Sequence, residues 1–143
     1  MAPEMKVFAG IMLLSIAVTA GCIVAGLLKQ KRIRRAEEHR RICDLLRTAE
    51  TKWERAREST PHTDQVETMT IREAVALVER RRYHTAVSVL KSFARTPRSL
   101  SPDTLECACR ITALACCGMR EYLVAAAFDE FANQISGSSD SNR

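Results

Sequence analysis

Four cysteines crowd into one short stretch, "CACRITALACC" from Cys107 to Cys117, and Cys22 and Cys43 bring the total to six in 143 residues. Thiols at that density suggest metal binding or redox chemistry. Zinc sites, however, are built from paired Cys-x-x-Cys knuckles, and here the spacing is Cys-x-Cys followed by Cys-Cys. On a helix Cys109 and Cys116 fall on one face, which suits small apolar side chains packed in a core. Reduced thiols of that kind fit a cytosolic compartment.

The other chemistry-bearing residues are scattered. His39, His62 and His84 stand alone, without a His-x-x-x-His pair or a partner carboxylate at metal-ligand spacing. No Gly-x-Ser-x-Gly, phosphate loop or dinucleotide glycine pattern occurs. "ERRRYH", 79 to 84, reads in two ways. It is either a phosphate patch with Tyr83 as a stacking platform, or a turn of solvated arginines beside a tyrosine wedged between helices. The expectation is a protein that is not an enzyme, with no cofactor and no bound metal.

Charge then locates the chain. Residues 1–28 sum to zero, and residues 29–57 hold eleven basic and five acidic groups. Residues 58–143 hold ten basic and eleven acidic groups, so the net +5 comes from the middle segment. A nucleic-acid-binding domain carries its excess on the folded part, so no nucleic-acid partner is expected. Just before the basic segment lies "VFAGIMLLSIAVTAGCIVAGLL", Val7 to Leu28, with no charged residue. As a helix it reaches ~33 Å, enough for a ~30 Å hydrocarbon core. Lys29, Lys31, Arg32, Arg34 and Arg35 follow at once, whereas Lys6, offset by Glu4, precedes it. The positive-inside bias predicts a single-pass membrane protein with a cytosolic C-terminal domain and those five cations at the lipid headgroups.

An export signal is the rival reading, because Val18-Thr19-Ala20 has small residues and Thr19-Ala20-Gly21-Cys22 loosely matches a lipoprotein box. In that case the protein is exported or periplasmic, anchored through Cys22. Against it stand a nearly neutral n-region and the apolar "IVAGLL" that continues past the cleavage point. Ala17, Gly21 and Ala25, four apart, form a small-residue ridge by which two spans would associate into a homo-oligomer.

Outside the apolar run Gly and Pro mark the breaks. From Ile33 to Glu58 neither occurs, and Ile42, Leu45, Leu46, Ala49, Trp53 and Ala56 trace a helical stripe. This predicts a basic amphipathic stalk helix over 29–58, between a short N-terminal segment (1–6), the span (7–28) and a linker over 59–65. A helical domain follows over 66–135, then a disordered tail over 136–143. Within the domain, helices are expected to about Arg82, over His84–Ala94, from Ser101 to about Cys117, and over Arg120–Ile135. Ser101-Pro102-Asp103 supplies an N-cap, a first-turn proline and an acid for the helix dipole. Gly118 is the expected C-terminal cap. No stretch alternates as a strand, so the fold class is all-α.

The domain also repeats itself. "AVALVERRRYHTAVSVLKSF" and "ALACCGMREYLVAAAFDEFA" each hold a helix, a polar turn and Tyr-x-x-Ala, at Tyr83/Ala86 and Tyr122/Ala125. The pattern resembles a degenerate tetratricopeptide repeat. Ala74, Leu77, Tyr83, Ala86 and Leu90 match its positions in the first unit, and Ala113, Cys116, Tyr122, Ala125 and Ala132 match in the second. Thr70 replaces the family's opening Trp, Phe93 stands at a small position, Asp129 falls on an apolar one, and the loop between the units is about five residues too long. The resemblance implies two antiparallel helical hairpins, with both tyrosines as buried wedges, that bind a protein or peptide partner. The alternative is a plain four-helix arrangement. Two functional readings follow, a membrane-anchored adaptor or a structural subunit of a membrane complex.

Overall fold

The computed structural model describes residues 3–59, 65–95 and 100–140, with the side chains of 139 and 140 outside the description. Those residues form five helices, α1 (Pro3–Glu58), α2 (Gln65–Glu79), α3 (Tyr83–Ala94), α4 (Pro102–Gly118) and α5 (Tyr122–Asp140). There is no strand among them. The expected linker lies mostly outside the described residues, with Ser59 in a turn and Gln65 already in α2.

The chain divides into two compact units at Glu37/Glu38. Over the described part of the first unit, every side chain is exposed. Its 18-residue apolar window is long and apolar enough to cross a membrane, and 0% of it is buried within the chain.

The second unit takes in the C-terminal part of the expected stalk helix. Its core joins Ile42, Leu46 and Trp53 of α1 to Ile71, Ala74, Val75 and Val78 of α2, Ala86 and Leu90 of α3, and Cys107, Ile111, Leu114 and Ala115 of α4. One face of α1, from Ile42 to Trp53, therefore belongs to the core, because this stripe finds apolar partners on α2 and α4. Burial of one such large side chain is worth ~1.5–3 kcal/mol. Ten residues of α4 are buried, more than in any other helix, so α4 is the central element. This also explains the cysteine density: Cys107, Cys109 and Cys116 are buried and all six thiols are free.

Local signals set the ends of α4. Ser101 caps the start, its Oγ accepting from the Thr104 N–H at 3.2 Å, with Pro102 in the first turn. At the other end Gly118 does not act as the expected cap, since the left-handed residue after α4 is Arg120 (φ 67°). The glycine serves a different need, the close approach of the Tyr83 ring. The turn after α2 has the same form, with Arg81 at φ 60°. In each turn the left-handed residue donates three residues back (Arg81 N–H to Val78 O, Arg120 N–H to Cys117 O). The residue after it donates five back (Arg82 N–H to Leu77 O, Glu121 N–H to Cys116 O). Both are Schellman turns, and corresponding residues lie 39 apart in the sequence.

α5 corrects the expected tail. It runs to Asp140, past the expected end at Ile135. Ser136 accepts from Lys52 Nζ at 3.0 Å and Ser138 Oγ donates to the Gln134 carbonyl at 3.0 Å, which gives the polar end of the helix local partners.

Candidate functional site

α1, α4 and α5 leave an open groove of ≈ 560 Å³ between them in the second unit. Leu45, Thr48, Ala49 and Lys52 line one wall, Arg110, Ala113, Leu114 and Cys117 the floor, and Tyr122, Ala125, Ala126 and Asp129 the other wall. The hollow follows from side-chain size: alanines at 49, 113, 125 and 126 leave room where larger residues would close the helices together. A volume of this order is typical of pockets that take a ligand or an anchoring side chain, ~300–1,000 Å³.

One end of the groove is fixed by ions. The buried carboxylate of Glu106 accepts from Lys52 Nζ at 2.7 Å and from Arg110 Nε at 3.1 Å. Arg110 reaches on to Asp129 Oδ1 at 3.1 Å and Asn133 Oδ1 at 3.0 Å, tying α4 to α5. Asp129, the charge at an apolar position of the repeat pattern, is thus the partner of a helix-bridging arginine. The other end carries Tyr122, 56% exposed, whose hydroxyl donates to Glu38 Oε1 at 2.9 Å. That hydrogen bond to a carboxylate is the main cause pushing the Tyr122 phenol above its usual range.

A shallow, solvent-facing depression on the surface of α1 alone adjoins the groove and shares Thr48 and Lys52 with it. Arg47, Thr51 and Arg55 complete its lining, with no acid among them.

The repeat-signature residues separate by type. Ala74, Ala86, Leu90, Ala113, Cys116, Ala125 and Ala132 are buried, and Leu77 and Tyr83 are half-buried. The expected wedge at Tyr122 is corrected: its ring is exposed at the groove. Tyr83 lies over Gly118, and its hydroxyl meets His39 Nδ1 at 2.7 Å. His39 Nε2 donates to the Glu79 carbonyl at 3.1 Å, so this histidine bridges α1 to the end of α2. On the first unit Lys29, Lys31, Arg32, Arg34 and Arg35 are exposed, as are Ala17, Gly21, Cys22 and Ala25.

Sequence reading missed Lys52, Arg110 and Ala126 as groove residues. The run "LVAAAFDE" was the available sign, since consecutive alanines give a helix small residues on several faces at once. It also missed a buried polar chain in which Trp53 Nε1 donates to Thr104 Oγ1 at 3.3 Å and Thr104 Oγ1 donates to Glu67 Oε2 at 2.8 Å. Nothing in the local pattern separates Glu67 from a solvated glutamate.

The five thiols of the second unit are shifted toward the protonated form. Burial pushes the Cys107 thiol up to about 12, with Glu50 and Glu106 adding to it, and burial is likewise the largest cause raising Cys43, Cys109, Cys116 and Cys117. A protonated thiol is a poor nucleophile and a poor ligand. Among the described residues no group of three or more His, Cys, Asp or Glu is placed to hold a metal ion.

No protein-family model, curated protein or solved structure matches the chain.

Proposed function

We propose that this protein is a membrane-anchored helical adaptor that holds a segment of a partner protein in the groove between α1, α4 and α5. The observation that carries the reading is the groove itself: an apolar floor with ion-paired residues at one end, which suits capture of apolar side chains. Two further observations support it. The apolar window of α1 has no partner within the chain, and five cations follow it without an intervening acid. On this reading the span crosses once, Lys29, Lys31, Arg32, Arg34 and Arg35 rest on headgroups, and the groove lies in the cytosol. On this reading the two helix pairs form a degenerate tetratricopeptide-like unit, whose 39-residue spacing is longer than the ~34 of that family. The Ala17, Gly21 and Ala25 ridge would let spans associate.

One observation favours a second reading, a structural subunit of a membrane complex. Leu123, Val124 and Phe131 of α5 are exposed, with Leu123 at 89%. Affinity purification of the full chain from detergent separates the two. Ala126→Trp fills the groove and should remove the specific companions, while Leu123→Arg should leave them in place. The opposite pattern favours the structural subunit, and unchanged companions in both variants overturn the adaptor.

A further inference from the structure

Resting on the groove reading above, we infer that the occupant is an acidic amphipathic helix of about three turns. The groove and a basic face of α1 adjoin. Both lie along the same length of α1, joined at Thr48 and Lys52. A segment lying there meets apolar side chains on one side, from Leu45, Ala113, Leu114 and Ala126, and cations on the other, from Arg47, Lys52 and Arg55.

The flank is regular. Arg41, Leu45, Thr48, Lys52 and Arg55 recur at alternating steps of four and three, so they form one ridge along α1. Lys52 is already paired with Glu106, but the guanidinium groups of Arg47 and Arg55 have no ion-pair partner among the described residues. Exposed cations beside an apolar trough favour carboxylates on the matching flank of the ligand and repel a basic helix. From Leu45 to Arg55 the wall runs ~15 Å, the rise of about ten helical residues. The occupant then carries apolar anchors at i, i+3, i+4 and i+7, with Glu or Asp on the adjoining flank.

The test uses the full chain in nanodiscs of zwitterionic lipid and a fluorescent peptide of about fourteen residues with leucines at those four positions. One peptide carries glutamates on the flank, a second carries lysines there, and a third is the scrambled acidic sequence. The glutamate peptide should bind about tenfold or more tighter than either of the others, with the difference falling as salt rises. Arg47→Glu with Arg55→Glu should abolish or invert the preference while circular dichroism stays unchanged, since both residues are exposed. Ala126→Trp should abolish binding of every peptide. Equal binding of glutamate and lysine peptides that Ala126→Trp removes would overturn the acidic occupant and leave the groove standing. Failure of all three peptides to bind would overturn the acidic helix here, and only companions unchanged by Ala126→Trp in purification would remove the adaptor as well. Anionic lipid in the nanodiscs should leave peptide binding in place, and its loss there would reassign the arginines to a lipid surface and overturn the inference.

Discussion

The ring of Tyr83, at the start of α3, rests against the backbone of Gly118, at the end of α4. A Cβ built on Gly118 would stand 2.6 Å from both Cε atoms of that ring. Two helix ends from different pairs therefore meet through one aromatic face and one missing side chain, and His39 of α1 holds the hydroxyl from the other side. Gly118→Ala must displace the ring or the helix end. The expected cost is ~1–3 kcal/mol, the range for overpacking in a close-fitting core. Thermal unfolding of the full chain measures it, and the same substitution in a Tyr83→Ala background should cost much less. An equal cost in both backgrounds would mean that the two residues do not contact.

The two tyrosines of the Tyr-x-x-Ala segments should behave differently. Tyr83→Ala removes a half-buried ring and its bond to His39, and ~3 kcal/mol is the expected loss by comparison with aromatic truncation in cores. Tyr122→Ala should leave the melting temperature near wild type, because that ring is exposed beside the groove. Its effect is expected on partner binding instead.

Why one tyrosine was readable and the other was not has a physical cause. Periodicity reports which residues share a helix face, and it correctly grouped Ile42, Leu46, Ala49 and Trp53. Those residues are indeed buried together. It does not report which faces end up opposed. Tyr122 occupies the same place after its turn as Tyr83, but its ring lines the open groove. Leu45 lies in the same stripe as Leu46, yet it is 58% exposed because it borders an open groove. The groove depends on what α1, α4 and α5 fail to fill, and a gap between distant segments leaves no pattern in any one of them.

Both Schellman turns place an arginine in the left-handed region, where a Cβ is unfavourable. Arg81→Gly and Arg120→Gly should each stabilise the fold, by up to ~1 kcal/mol, less the entropy that glycine adds to the unfolded chain. Denaturant midpoints of the two variants check this. A drop in midpoint for either would show that its arginine side chain contributes more than its backbone costs.

Alkaline pH should destabilise the protein through Cys107. Its thiol is held near 12 in the fold against an ordinary value of 9.0, so the unfolded chain loses that proton first. The contribution is complete below the ordinary value and is lost progressively as pH rises toward the folded one. Urea midpoints taken on either side of the ordinary thiol value should fall with pH in the wild type and fall less in Cys107→Ala. Identical slopes would place Cys107 in contact with solvent.

The last expectation concerns where the folded unit begins. The linker before α2 invites cutting there, but the core includes Ile42, Leu46 and Trp53 from α1. Trp53 also donates to Thr104, which in turn serves Glu67. Removing α1 would expose the apolar faces of α2 and α4 and leave that buried polar pair one donor short. Three large side chains at ~1.5–3 kcal/mol each approach the whole stability of a typical domain, ~5–15 kcal/mol. A fragment of residues 38–143 should therefore unfold cooperatively, whereas residues 60–143 should show no cooperative transition and should bind a hydrophobic dye. Trp53→Phe in the longer fragment should give an intermediate loss, since it keeps the ring and drops the donor. A cooperative melt for 60–143 matching that of 38–143 would move the domain boundary back to the linker, and the groove would lose one of its walls.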